Sequence, residues 1–352
     1  MRCVYPKETS GRTDFGLSHN RYLTVQRQHK KYQENYPDGY GYTQFKKAIC
    51  DYQYSHNLSY HNTCLSDAEL QIDFAGDSLW FTELFEKGGG MSANSASAAE
   101  HKEIAKGIME FMYDYRFLRD TIDITSESTD RMILQVGYGI SKFSSYRAMQ
   151  IDSLLRVSTT EQIEANPDRY IGGETYSIYK NYPTGKFTMT DKIATDWFLV
   201  EELIPEQQWT LTDETKEILG YQCKSAKCSF RGREYTAYYT DEIPVADGPW
   251  KFGGLPGFIM EVRDADNHYS FTCVGINSKA DRSITIPEVQ YNKTSRVKFY
   301  QAKHRYDTNP LGYLETVSGI KVNVTSNGEA RKDLNKPREL TYDYIETDWK
   351  NY

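Results

Sequence analysis

Apolar and polar residues alternate along most of the chain with the period of two that lays one face of a strand on a core. The pattern is clearest from Met132 to Ile140, where Met132, Leu134, Val136, Tyr138 and Ile140 form one apolar face. The same reading predicts strands over Arg116–Ile124, Thr175–Lys180, Lys186–Asp191, Asp196–Leu203, Tyr221–Phe230, Arg233–Thr240, Phe258–Val262, His268–Ile276 and Gly319–Val324, with another starting at Gln208. Tyr182-Pro183-Thr184-Gly185 and Arg231-Gly232 read as hairpin connections. Helical spacing is rarer. It begins at His101 and runs through Ile104, Ile108, Phe111 and Met112, recurs around Met149–Leu155, and returns from Val297 to Tyr306. Thr294 or Ser295 caps that last helix, and Asn309-Pro310 stops it. Near the start, His29–Tyr36 and Tyr42–Tyr54 read as two short helices, followed by a strand over Leu70–Asp77.

Many short strands joined by local turns predict a mainly β (α+β) fold. The expected form is a strongly curved antiparallel sheet or half-barrel with one or two helices across its open face, and a full sandwich is the alternative. A small, incomplete, partly helical N-terminal fragment precedes it. Residues 87–102 contain GGGMSANSASAAE, the composition of a flexible junction, in which Met91 offers an internal start. The expected division is therefore 1–86, 87–102 and 103–352.

Composition sharpens this picture. Hydrophobic residues are 39% and charged residues 26% of 352, as in globular chains. The 29 tyrosines favour half-buried strand positions. A net charge of −7 argues against a dedicated nucleic-acid binder. No apolar run reaches membrane-span length and the first 30 residues lack a secretory h-region, so the chain as written is expected in the cytoplasm. Cys223 and Cys228 lie an odd number of residues apart on one predicted strand. They are expected on opposite faces, with buried free thiols favoured over a bridge from either to Cys273.

The stretch from Asp247 to Ile276, DGPWKFGGLPGFIMEVRDADNHYSFTCVGI, concentrates the turn chemistry. Pro256 suits a tight turn, and Gly257 can take a positive φ there. Trp250, Phe252, Leu255, Pro256 and Gly257 are candidates for the mouth of an apolar-ligand site, weighed against a corner that merely fixes strand register. Asp264, Asp266, Asn267 and His268 resemble the opening of a calcium loop without its later ligands, and read as a solvated hairpin tip. Asp241-Glu242 is expected to pair with Arg233 or Lys251. The seven histidines are scattered, so no metal cluster is proposed. No catalytic triad or phosphate-binding loop appears either, and no cofactor is expected.

Two resemblances cover the chain. YPDGYGYTQF followed by ELQIDFAGDSLW resembles the approach to the catalytic core of IstA-like insertion-sequence transposases. That resemblance implies that Asp73 stands where those enzymes carry the first of three metal-binding carboxylates. The other two are missing, which predicts an inactive remnant with no nucleic-acid partner. Residues from about 115 to 345, above all TDETKEILGYQCKSAKCSFRGREYTAYYTDEIPVADGPWKFGGLPGFIMEVRD, are similar to the GLPGLI family. Gly254, Leu255, Pro256, Gly257, Phe258 and Ile259 occupy its signature, with Phe258 replacing the second leucine. This implies an exported or envelope-associated protein without accepted catalytic residues. The expectation is a non-enzymatic binding or structural β protein that takes an apolar ligand or an envelope protein partner on its concave face. A transposase fragment displacing the normal start accounts for both resemblances.

Overall fold

A computed structural model describes residues 68–74, 77–80, 99–123, 125–318, 320–326, 329–330 and 336–352. The expected helices at His29–Tyr36 and Tyr42–Tyr54, and most of the junction, lie outside the described residues. The chain divides into two units: Met1–Gly90 with Leu314–Lys336, and Met91–Tyr313 with Pro337–Tyr352.

In the first unit, β1 (Ala68–Phe74) pairs antiparallel with β2 (Asp77–Trp80) on one edge and β16 (Ile320–Ser326) on the other. β17 (Glu329–Ala330) extends this sheet beyond β16. Residues 314–336, expected with the tyrosine-rich remainder of the chain, thus group with the N-terminal residues.

The second unit is built on one large sheet with few helices. In chain order its elements are β3 (His101–Leu118), β4 (Glu127–Gly137), β5 (Ile140–Ser145), α1 (Tyr146–Leu155), α2 (Thr160–Ala165), β6 (Ser177–Lys180), β7 (Lys186–Ile193) and β8 (Asp196–Leu203). Then follow β9 (Thr210–Ile218), β10 (Tyr221–Phe230), β11 (Arg233–Thr240), β12 (Phe258–Asp264), β13 (Tyr269–Asn277), β14 (Ser283–Pro287), β15 (Asn292–Thr294), α3 (Arg296–Thr308) and the start of α4 (Pro310–Ser318), whose residues from Leu314 on belong to the first unit. The strand order is β15-β8-β7-β6-β5-β4-β3-β13-β12-β11-β10-β9, with β14 added on β3. Every pairing is antiparallel except β15 with β8.

Several local expectations are corrected. The helix predicted from His101 is instead the first half of an 18-residue strand. Its apolar positions fit a helical period, but Phe111, Tyr113 and Tyr115 alternate inward with the period of a strand. Gly107 also lies so close to β14 that an added Cβ would sit 2.5 Å from the Arg282 carbonyl oxygen, a backbone approach that only pairing requires. The strand expected to reach Ile124 ends at Leu118, because the Asp120 carboxylate accepts hydrogen bonds from the Ile122 and Asp123 amides and turns the chain. Met132–Ile140 is broken by a turn at Tyr138-Gly139, where Gly139 has φ +71° and Tyr138 is 86% exposed. Residues 132–137 are buried on both faces, so alternation was never the signal there. Asn309-Pro310 stops α3 as expected, yet Pro310 also starts α4.

Strand β10 carries a register shift between Lys224 and Ser225. Two residues of β9, Asp213 and Glu214, are passed over there, and the burial phase of β10 changes at the same place, so Cys223, Ser225, Ala226 and Cys228 are all buried. The two cysteines therefore both enter the core, correcting the opposite-face expectation. Cys223, Cys228 and Cys273 are free and buried, and burial pushes each thiol up, to about 11, 12 and 11 respectively. The C-terminal segment delivers Tyr344, Glu346 and Trp349 into the interior.

Contacts across the sheet are long in strand count. Seven strands lie between β8 and β11 in the sheet order, a span of about 38 Å if flat at ~4.8 Å per strand. Nonetheless Glu202 of β8 is bonded to Arg231 in the β10–β11 turn, and Lys180 of β6 reaches the Gly248 and Phe252 carbonyls at 2.7 Å. A single core results, continuous from Met189 and Val200 through Phe271 and Phe258 to Cys228 and Ile218.

Candidate functional site

The turn-rich corner is held from three sides. The Lys180 ammonium donates to the Asp247 carboxylate at 2.6 Å as well as to the two carbonyls above. Trp209 donates its indole N–H to the Gly253 carbonyl at 2.8 Å, and the Gln207 amide donates to the Lys251 carbonyl at 2.7 Å. Trp250, Phe252, Leu255, Phe258 and Ile259 are all core residues. Phe252 packs edge-on against Tyr235 at 4.7 Å and tilted against Trp250 at 5.2 Å. The rings expected at a ligand mouth thus pack on one another, and Gly254 and Pro256 are the exposed positions of the corner. Gly254 takes φ +80°, and a Cβ on Gly257 would fall against the Thr240 carbonyl group, its carbon only 2.7 Å away. Each letter of the corner has a backbone or packing role. Asp73 sits on β1, in register with Ser78 and Lys321.

Lys251 lies inside this corner, fully buried, and anchors an ion network. Its ammonium contacts Glu202 at 2.6 Å and Glu346 at 2.5 Å. Arg296 of α3 contacts Glu346 at 2.7 Å and Asp348 at 2.6 Å, and Arg231 closes the set through Glu202. Burial pushes the Glu346 carboxyl up, but Lys251, Arg231 and Arg296 outweigh it and hold that carboxyl below its usual range. The expected pairing of Asp241-Glu242 with Arg233 or Lys251 does not form. Asp241 pairs with Lys224 at 2.8 Å, Glu242 accepts from the Gln222 amide, and Arg233 pairs with Asp264 at 3.1 Å.

A cleft of about 460 Å³ opens between α3 and the C-terminal segment. His304, Tyr342, Tyr344 and Trp349 supply its aromatic wall, and Arg338, Glu339, Asp343 and Lys350 stand at its polar side, where Lys350 pairs with Asp343. The rings form one cluster: His304 to Trp349 at 5.4 Å, Tyr342 to Tyr344 at 5.9 Å, and Tyr344 to Trp349 at 6.0 Å. Behind the wall, the buried Asp307 carboxylate accepts from the Tyr344 and Tyr342 hydroxyls at 2.7 and 3.2 Å, and pairs with Lys303 at 3.3 Å. Burial pulls the Lys303 ammonium down, while Asp307 and Asp191 more than offset this and raise it above its usual value. Burial, and then Asp191, push the Glu174 carboxyl up to about 7, against the pull of Lys303. Asp191 is itself raised by burial, and accepts from the Thr175 hydroxyl at 2.6 Å. A second cleft, about 540 Å³, runs along α1 beside Arg147 and Arg282, and among the described residues no carboxylate lines it.

None of these cleft residues was singled out by sequence. They lie on α3 and a segment 30 to 50 residues later, each in a locally ordinary context. The one available signal was the aromatic density of the tail, with Tyr342, Tyr344 and Trp349 in eight residues.

A family model described as the N-glycanase peptide N-terminal domain matches residues 156–299. Two solved structures of PNGF-II, in two crystal forms, are similar at 12% identity with a TM-score of 0.38. The matches cover 55% and 56% of this chain and 32% of each of those chains, so this chain spans about a third of their length. No curated protein matches. Among the described residues, no helix is long and apolar enough to cross a membrane.

Proposed function

We propose that the chain is a GLPGLI-type, non-enzymatic β protein of the cell envelope that binds the saccharide part of a glycoconjugate in the cleft between α3 and the C-terminal segment. The observation that carries this reading is the cleft wall. Three aromatic side chains and a histidine stand beside hydroxyl-bearing groups and charged groups of both signs, the mixture that stacks on a sugar face while bonding its rim. An apolar occupant was expected from the sequence, but the mixed wall suits an amphiphilic one better. The matched description, an N-glycanase N-terminal domain, belongs to the same ligand class. Asp307, the carboxylate behind the wall, is already engaged by Lys303, Tyr342 and Tyr344, which favours a structural over a proton-transferring role.

The sheet that presents the cleft is read as strongly curved, because Glu202 and Arg231 meet although seven strands separate their positions. The N-terminal resemblance is read as an inert transposase remnant around Asp73.

Titration calorimetry against N-linked glycans and soluble envelope polysaccharide tests the binding. The expected result is one-site binding to at least one of them, weakened tenfold or more by Tyr342→Ala with the fold intact. That corresponds to about 1.4 kcal/mol, within what one aromatic contact supplies. Equal binding by the variant would move the site elsewhere, and binding to none would end the saccharide reading.

A further inference from the structure

The tip of the β12–β13 hairpin gathers metal-ligand chemistry, independently of the saccharide reading. Asp264, Asp266 and His268 each offer one donor atom, and these atoms all lie within 4.8 Å of one another. The Asn267 backbone, at φ +56°, bends the chain so that three alternate residues converge. The loop is fixed by its neighbours: the Leu118 amide donates to the His268 carbonyl at 3.0 Å, and Arg116 donates to the Asn267 carbonyl at 3.1 Å. Asp264 is 2% exposed and orientated by the Tyr269 amide at 2.8 Å and by Arg233 at 3.1 Å. A second, independent observation points to a ligand. The His268 Nδ1 atom is sealed from solvent and has no hydrogen-bond partner among the described residues. Buried polar atoms are ordinarily satisfied, and an imidazole nitrogen left bare is a donor kept for something else.

We propose that Asp264, Asp266 and His268 form a zinc-type divalent metal site that locks the hairpin tip. Two carboxylates and an imidazole match the nitrogen and oxygen ligands of zinc, and three protein ligands leave a fourth position for water. Calcium needs six to eight oxygens, more than this tip presents, and magnesium demands an octahedral oxygen shell. Imidazole in the donor set favours the later transition metals. Arg233, held against Asp264, cancels part of the negative charge. The site is therefore weaker than a closed structural zinc site, whose four ligands carry no such neighbour.

The test uses the full chain without a histidine tag. Zinc chloride is titrated calorimetrically, with calcium and magnesium chlorides as comparators, and thermal unfolding is followed with and without zinc. One zinc is expected to bind and raise the melting temperature. Asp266→Asn and His268→Ala, each checked for native circular dichroism, are expected to lower the affinity at least tenfold and abolish the shift. Substituted cobalt should show visible bands of a nitrogen and oxygen environment without a thiolate charge-transfer band. Zinc binding that survives both variants would overturn the assignment, as would a thiolate band, calcium binding as tight as zinc, or no zinc binding up to millimolar concentration.

Discussion

Glu174 is half-buried, and its carboxyl is raised to about 7 by burial and by Asp191. Its folded-state value therefore exceeds its unfolded value. The folded chain holds this proton more tightly than the unfolded chain does, so stability falls as pH rises from about 4.5 through about 7. Glu174→Gln keeps the neutral shape and removes the charge. We expect it to stabilise the protein at pH 8 by about 1–3 kcal/mol, discounted for the partial exposure of the site, and to leave stability at pH 4 nearly unchanged. Urea unfolding at the two pH values measures this, and equal changes at both would contradict it. At Gly257 the argument is steric. Ala there would press its Cβ into the Thr240 carbonyl group, which belongs to the paired end of β11 and cannot yield without breaking its register with Phe258. A loss of about 2–4 kcal/mol is expected for Gly257→Ala, larger than the ~1 kcal/mol typical of a point mutation. An unchanged denaturation midpoint would show that the corner is slack.

At the scale of elements, some hairpins are legible through their own turn and one is not: the apolar run across Tyr138-Gly139 reads as a single strand, although β4 and β5 pair through that turn. The β10–β11 hairpin was legible to the residue at both ends, because Arg231-Gly232 supplies two positive-φ positions between alternating runs. The β6–β7 hairpin and the Ser295-capped α3 were legible for the same local reason. The larger failures are non-local. β3 is a strand because β14, β13 and β4 pair with it, and no window around His101 contains those partners. The ion network was equally hidden, since Glu202, Arg231, Lys251, Arg296 and Glu346 come from five separate places and none is unusual alone. That network joins β8, the β10–β11 turn, the corner, α3 and the C-terminal segment, so each charge depends on the others. Lys251→Met removes one cation and leaves Glu346 buried with a reduced set of partners. The expected cost is about 3–5 kcal/mol, the usual penalty for stripping one partner from a buried pair. A cost below 1 kcal/mol in urea unfolding would mean that water or rearrangement compensates the site.

The whole molecule is two units of unequal kind, and a further prediction follows from where each takes its strands. Every strand of the larger sheet comes from residues 101–294, and its remaining core partners come from α3, Tyr313 of α4 and residues 337–352. The described strands of residues 1–90 pair only with one another and with β16. Removing residues 1–90 therefore takes no hydrogen-bonded strand from the larger sheet. Among the described strands it deprives only β16 of a partner, β1. A chain beginning at Met91 is expected to unfold in one cooperative calorimetric transition within about 4 °C of the full chain's main transition. A shift of that size corresponds to roughly 1 kcal/mol for a domain of this size, which is all that loss of ordering in the 314–336 excursion should cost. A fall of 15 °C or more, or a loss of the cooperative transition, would show that the N-terminal residues are integral to the larger unit and would defeat the reading of them as an inert addition.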